Sequence, residues 1–354
     1  MLLYAEVPGF YAEFERAADP SLAERPVIVG GNPRKRGAVQ AATADARALG
    51  VADGMPMLEA LERCPRARAI VTNMRRYREA SAQLRSQFRR ATDRIESAGA
   101  GAAYLDVSQR PEPPERVAEQ LREAVRTELA LPLRVGVSPV KFLAKLAAES
   151  LERDGVCAIP SGGVRAFLDP LPVARLPGVG PKTEATLAEL GVRTAGDLAG
   201  LDRAWLEERL GNHGLAIWSY AQGRDRDHGV MRAAAHPRSV SQEATFAEPE
   251  VDRVALEERL AGLATRVAEA LARERLGAKR VVVKIRYADG EGITRSRTGV
   301  HAMTAARELL AQAAPLLDRT QVGARAVRGL GLIASELVKA RRDDRQLDLF
   351  GRRS

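Results

Sequence analysis

Hydrophobic and polar positions alternate in two distinct rhythms along this chain. Short apolar stretches with a period of two, or none, predict strands at "LLYAEV", "RPVIVGG", "AYLDVS" and "LRVGVS". Between them the period lengthens to that of a helix, at "FYAEFERA", from Met74 to about Arg94, at "PERVAEQLREAVRTEL" and at "PVKFLAKLAAESL". Leu84, Phe88 and Ala91 share one face of the long Met74 helix. The βαββαβ order predicts an α+β sheet with helices on one face. Beyond about residue 163 the strands give way to short helices punctuated by Pro and Gly. The irregular basic stretch "GRDRDHGVMRAAAHPRSVS" reads as a linker. A second βαββαβ unit follows: "SQEATF", a helix from about Asp252 to Arg275, "KRVVVKIRYA", "ITRSRTGV", a helix from Thr304, and "AVRGLGLIAS". The last residues, "KARRDDRQLDLFGRRS", are too charged for a core and are expected to form a flexible tail.

One place breaks the rhythm. Directly before the strand "AYLDVS" stand six small residues, Ala98 to Ala103. Alanine and glycine pack little, and glycine costs extra backbone entropy, so such a run weakens a strand at its mouth. It is either a bulge that lets another backbone approach or a site from which side chains have been lost.

Composition narrows the function. The 354 residues are enough for two or three globular units, and 45% of them are hydrophobic. No run is apolar enough to span a bilayer. The start, "MLLYAEVPGF", has neither a basic leader nor a small-residue cleavage site, so no signal peptide is expected. Two cysteines, Cys64 and Cys157, and four scattered histidines offer neither a disulfide framework nor a metal-ligand spacing. A reduced, cytoplasmic protein is expected, bacterial and nucleoid-associated. The net charge of +9 points to an anionic polymer as partner. Of the 55 basic residues 48 are Arg, a bias that a GC-rich genome also produces, so the sign of the charge counts for more than the residue type.

"LPGVGPKTEATLAELGVRTAGDLA" looks like a helix-hairpin-helix. Its turn, Gly178-Val179-Gly180, would let backbone N–H groups meet a DNA phosphate without reading sequence, with Lys182 adding charge from the next helix.

Taken in order, "FYAEFE", "RPVIVGG", "RGAVQAATADARALGV", "AYLDVS", "VGVSPVKFLAKLAAE", "LPGVGPKT" and "SVSQEATF" resemble the Y-family translesion DNA polymerases, of the DNA polymerase IV and UmuC-like branches. The resemblance implies a right-hand architecture. Residues 1–16 and 74–162 would form a βαββαβ palm, 17–73 small fingers and 163–231 a thumb carrying the helix-hairpin-helix. Residues 232–240 would be a basic linker, 241–340 a βαββαβ little finger and 341–354 a flexible tail. In the family, one Asp of the first strand and an Asp-Glu pair of the second catalytic strand hold two Mg²⁺ ions, which activate the primer 3′-hydroxyl and neutralise the transferring phosphates. Those positions here are Glu6, Gly101 and Ala102, and Pro8 stands at the first Asp's companion. No catalytic residue or metal is therefore expected, and Mg²⁺ only if residual polymerase activity exists. Asp106 lies five residues beyond Gly101, roughly 16 Å along an extended strand at about 3.3 Å per residue. Catalytic metals sit about 3.5–4 Å apart, so Asp106 cannot stand in. Only an unusual loop would bring in Glu96.

Remnants of a nucleotide pocket are expected at Phe10 and Tyr11, at Ala44 and Arg47 and at Lys145. DNA contacts are expected from Gly178, Val179, Gly180, Lys182, Arg238, Arg280, Lys284 and Arg286. The three little-finger cations need not act alike, because successive strand residues face opposite sides. "QLDLF" resembles the family's sliding-clamp peptide, with Gln346, Leu347, Leu349 and Phe350 as contacts. The whole resembles a catalytically inert, ImuB-like relative that binds primer–template DNA and the sliding clamp as an adaptor, beside a separate error-prone polymerase or recombinase-like accessory. Two alternatives stand beside it. One is a weak polymerase that holds metal with Glu6 and substrate phosphates. The other is a competitor that occupies clamps or primer ends.

Overall fold

A computed structural model of the chain describes residues 1–35, 37–225 and 239–340. The chain divides into two units, residues 1–233 and 234–354. Arg238, residues 232–238 of the expected linker and the whole tail, with Gln346, Leu347, Leu349 and Phe350, lie outside the described residues.

The first unit opens with β1 (Leu2–Glu6) and α1 (Phe10–Ala18). A small layer follows, made of β2 (Val27–Gly30), β3 (Val39–Ala42), α2 (Ala44–Ala48), α3 (Met57–Arg63) and β4 (Arg68–Val71). Next come α4 (Met74–Ala91), β5 (Ile95–Ser97), β6 (Ala102–Asp106), α5 (Pro114–Leu129), β7 (Arg134–Ser138), α6 (Lys141–Glu149) and β8 (Gly155–Ala158). The main sheet has the order β5-β6-β1-β7-β8, and the small one β3-β2-β4.

Period-two alternation sorts the side chains of the main sheet. Leu3, Ala5, Leu105, Val135 and Val137 point to one face and are buried with Leu84 and Phe88 of α4 and Leu121 and Val125 of α5. Tyr4, Ala102 and Tyr104 belong to the other face, against Ala144 and Ala148 of α6. The expectation of helices on one face is thus wrong for α6, and Gly136 is the reason. A Cβ at this position would lie 1.8 Å from the Ala144 carbonyl oxygen. With no side chain there, the α6 backbone settles directly on β7 and covers part of the second face. The rest of that face stays open around the end of β1.

Four helices complete this unit: the short α7 (Val164–Leu168), α8 (Pro181–Glu189) and α9 (Ala195–Ala199), and the longer α10 (Arg203–Ala221), kinked at Gly211. Leu168, Leu187, Leu198, Leu206 and Ile217 close their common core. Thr194 starts α9 with a capping box closed by Asp197, which satisfies backbone N–H groups that no helical turn can reach.

The second unit is β9 (Ser239–Glu250), α11 (Arg253–Arg273), β10 (Leu276–Tyr287), β11 (Gly292–Met303), α12 (Ala306–Ala313) and β12 (Val327–Lys339). Its sheet runs β11-β10-β12-β9, all antiparallel. Val281, Val283, Ile285 and Tyr287 pack on Leu256, Leu260, Leu263 and Val267 of α11, so the alternate residues of β10 face away from the helices.

Gly136→Ala is expected to lower stability by about 3 kcal/mol, the upper end of the usual cost of overpacking, because the added methyl meets the α6 backbone. Urea unfolding of the intact chain, with the variant's midpoint compared at unchanged slope, checks it.

Candidate functional site

The β1 register builds the centre of the site. Glu6 is paired directly with Ala102 of β6 on one side and with Arg134 of β7 on the other. Paired residues in a sheet point to the same face, so these three side chains stand in a row. Arg134 donates from Nη2 to the Glu6 carboxylate at 3.2 Å and from Nη1 to the Leu151 carbonyl at 3.0 Å. Ala102 adds no polar atom. Gly101 lies one residue further along the chain, and its carbonyl accepts the Val7 N–H at 2.9 Å.

The small-residue run is therefore both a loss and a fit. Gly101 is covered by α1: a Cβ there would lie 2.5 Å from Phe10 Cβ and 2.7 Å from Phe10 Cγ. Phe10 Cβ is anchored to the helix backbone and cannot swing aside. Ser81 on α4 fastens the preceding turn by donating to the Ala100 carbonyl at 2.6 Å. A carboxylate cannot simply be put back at position 101.

A cavity of about 610 Å³ opens over this row. It brings together Glu6, Phe10, Tyr11, Ala44, Arg47, Gly101 and Ala102, seven of the residues singled out in the sequence. Lys145 is not among its lining residues; on α6 it faces Glu149 at 3.7 Å. Arg47 donates from Nε to the Ala42 carbonyl at 3.0 Å and pairs with Asp53 at 2.7 Å. Among the lining side chains three carboxylates, Glu6, Asp53 and Glu152, face two guanidiniums, Arg47 and Arg134. That balance does not favour a triphosphate. Tyr4, beside Glu6, and Tyr104 have their hydroxyls held well above the ordinary tyrosine range, chiefly by burial and then by neighbouring carboxylates. Both stay protonated at neutral pH, with ring centroids 4.8 Å apart.

Asp106 and Glu96 stay away from this centre. Asp106 pairs in register with Leu2 at the opposite end of β1, and its carboxylate meets Arg94 at 2.8 Å. Burial pushes the Asp106 carboxyl up, but hydrogen bonds to Ser108 and the Arg94 charge outweigh it, and the net shift is downward. Glu96 on β5 accepts from Lys141 at 2.6 Å. Among the described residues no three His, Cys, Asp or Glu side chains are placed to share a metal ion. Two hard divalent ions need several oxygens each. One glutamate already bound to an arginine, with an alanine and a covered glycine at the other two places, does not fit them.

Two other surfaces hold the residues expected to meet DNA. In the turn before α8, Gly178 has φ +86°, a conformation that only glycine adopts at ease. Gly180 opens to free space, and α8 begins at Pro181 with Lys182 in its first turn. The element before the turn is a single 3₁₀ turn, Val173–Arg175, rather than the full helix expected. On the second unit, Arg280, Lys284 and Arg286 all alternate with the buried β10 residues and share the helix-free face, so the expected division between faces does not occur. Lys284 pairs with Glu243 of β9 at 3.0 Å. To reach it, the Glu243 side chain lies across Gly331, where a Cβ would come within 2.8 Å of Glu243 Cγ.

The chain matches the impB/mucB/samB family over residues 6–149, the IMS family HHH motif over 161–192 and the impB/mucB/samB family C-terminal domain over 237–349. It is 37% identical over 352 residues to a DNA polymerase IV of Halorhodospira halophila, covering 99% of this chain and 98% of the relative. The chain belongs to the Y-family of DNA polymerases. A DNA polymerase IV of Alkalilimnicola ehrlichii is 36% identical over 353 residues, with 99% of both chains covered. Among solved structures a Y-family DNA polymerase chimera of Dbh and Dpo4 superposes with a TM-score of 0.83 at 24% identity, over 95% of this chain and 99% of that one. DinB from Sulfolobus solfataricus gives 0.62 at 22%, over 96% and 99%. These likenesses settle the family and the α+β polymerase fold. Within that fold the end of β1 sets Glu6 between Ala102 and Arg134. Among the described residues no helix is long and apolar enough to cross a membrane.

Sequence reasoning missed Arg134. Its one signal was a charged residue opening the apolar strand "RVGVS", and nothing local says that it meets Glu6, 128 positions away.

Gly101→Ala is expected to cost about 1–3 kcal/mol, because its methyl must displace Phe10 and with it α1. Gly180→Ala, in open space, serves as the control and should unfold with the wild type. Equal midpoints for Gly101→Ala and the control in chemical denaturation would show that α1 yields freely.

Proposed function

We propose that this chain is a non-catalytic Y-family member that binds primer–template DNA and the sliding clamp, and acts in translesion synthesis and DNA damage tolerance as an adaptor or regulator. The observation that carries the reading is the row Ala102–Glu6–Arg134 beside a covered Gly101. A two-metal phosphoryl transfer needs carboxylates on both strands to hold the ions at the attacking and leaving oxygens. Here one strand end carries none, and the remaining glutamate is bound to an arginine.

DNA binding makes no such demand. The turn at Gly178 and Gly180, Lys182, and the helix-free face with Arg280, Lys284 and Arg286 are suited to backbone phosphates, which are read by charge and N–H groups without regard to sequence. Arg238 belongs to the same proposal from its place in the basic linker. Relatives of known structure support it, since one is described as an insertion ternary complex of Dbh DNA polymerase. For the tail, "QLDLF" supports clamp binding by its two apolar anchors, Leu349 and Phe350, with Gln346 and Leu347 beside them. A separate polymerase or recombinase-like accessory would then supply the chemistry at the clamp. The name DNA polymerase IV on the relatives favours a second reading, a weak polymerase in which Glu6 and substrate phosphates hold the metal.

Primer extension with Mg²⁺ or Mn²⁺ separates the two. No template-directed incorporation is expected; incorporation that follows template sequence and is lost in Glu6→Ala would establish the weak polymerase instead. Primer–template affinity should be the same with Mg²⁺ and with a chelator, and should fall steeply with added salt. Fluorescence anisotropy across a salt series measures both, and a salt-independent affinity would remove the basic surfaces from the proposal.

Clamp binding is tested apart from DNA. For so short a linear motif in an apolar groove an affinity near about 1 µM, roughly 8 kcal/mol, is expected. Leu349→Ala with Phe350→Ala should cost about 2 kcal/mol or more in calorimetry against the clamp and leave DNA affinity unchanged. Undiminished clamp binding by the double variant would show that "QLDLF" is only a solvated tail.

A further inference from the structure

Arg134 is held more tightly than a surface arginine. Its side chain is 15% exposed, and two guanidinium nitrogens are committed to Glu6 and to the Leu151 carbonyl. The third, Nε, is buried with no hydrogen-bond partner among the described residues. An unpaired buried N–H is a cost, so this position is kept against a local penalty. The guanidinium sits in register opposite Glu6, the one carboxylate of the row. Removing it would leave Glu6 facing Asp53 and Glu152 across the same cavity with Arg47 as the only cation among the lining side chains.

We propose that Arg134 is the resident counter-ion of this centre. A positive charge built into the chain takes the electrostatic place that divalent cations hold in metal-dependent family members. It neutralises Glu6 permanently and closes the centre to metal. This rests on the reading that the centre is non-catalytic and goes beyond it, by naming what replaced the metal and by making the replacement reversible. The missing carboxylates alone would leave Glu6 available to a cation, whereas a resident arginine excludes one even when a second carboxylate is supplied.

Ala102 is the place to supply it. Residues 6 and 102 are direct cross-strand partners, with Cβ atoms roughly 5 Å apart, close enough for two carboxylates to share one ion. The experiment is a manganese titration of the full-length protein by electron paramagnetic resonance, free Mn²⁺ being the probe. Ala102→Glu is expected to bind Mn²⁺ no better than the wild type. Ala102→Glu combined with Arg134→Gln is expected to bind about tenfold or more tightly than Ala102→Glu, the scale on which neighbouring groups tune metal sites. Equal affinity of the two overturns the proposal. So does a combined variant that keeps wild-type circular dichroism and DNA affinity and gains no manganese. Should Arg134→Gln fail to fold, Arg134→Lys, which retains the charge, takes its place. With Ala102→Glu it is expected to stay as blind to manganese as Ala102→Glu alone, and a tenfold gain would refute the counter-ion. Primer extension by the wild type would defeat the non-catalytic reading by itself. A failed manganese series would remove Arg134's role and leave the missing carboxylates as they are.

Discussion

The antiparallel register of β1 with both neighbours is the constraint on which the rest of the first unit depends. It sets Glu6 level with Ala102 and Arg134, and sends Leu3 and Ala5 to the opposite face among the side chains of α4 and α5. A slip of one residue would exchange the two faces, burying Glu6 in an apolar core and exposing Leu3. The hydrophobic demand of one face thus fixes the chemistry of the other. Because the core tolerates no slip, the row at the strand end is fixed whatever side chains it carries.

Much of this was legible in the sequence. The strands "LLYAEV", "AYLDVS" and "LRVGVS" and the helices at 114–129 and 253–273 stand where the periodicity puts them, since each carries a full stripe of apolar residues. Ala98 to Ala102 of the small-residue run line the same cavity as Glu6. What escaped were elements too short for a period: β5 with three residues, and β4 and β8 with four each. β4 and β8 join their sheets in parallel pairings with strands far off in sequence, and such partners leave no local trace. α3 was lost among turns for the same reason, a seven-residue helix with two buried side chains, Met57 and Ala60.

The site shows the same boundary between legible and hidden. Loss of oxygen ligands can be read from the letters at 101 and 102. Accommodation of that loss cannot, because it is made of distances: Phe10 over Gly101, and Arg134 against Glu6. The shared face of Arg280, Lys284 and Arg286 is a different case. Their numbers differ by even steps, so the period-two rule alone was enough to set them together. The α6 placement was in principle visible too, as the lone glycine in "RVGVS" leaves room for a second backbone.

Glu243 gives the helix-free face of the second unit a property that composition does not suggest. Its carboxylate reaches over Gly331 and stands at Lys284 much as a phosphate would. A polyanion arriving there must compete with an occupant tethered to the sheet, whose effective concentration near the lysine is high and does not dilute. Once displaced, that carboxylate remains beside the newcomer as a like charge. A tethered carboxylate of this kind would shorten each visit of an anion to Lys284. A chain so rich in arginine would in this way touch a charged polymer often without remaining stuck to it.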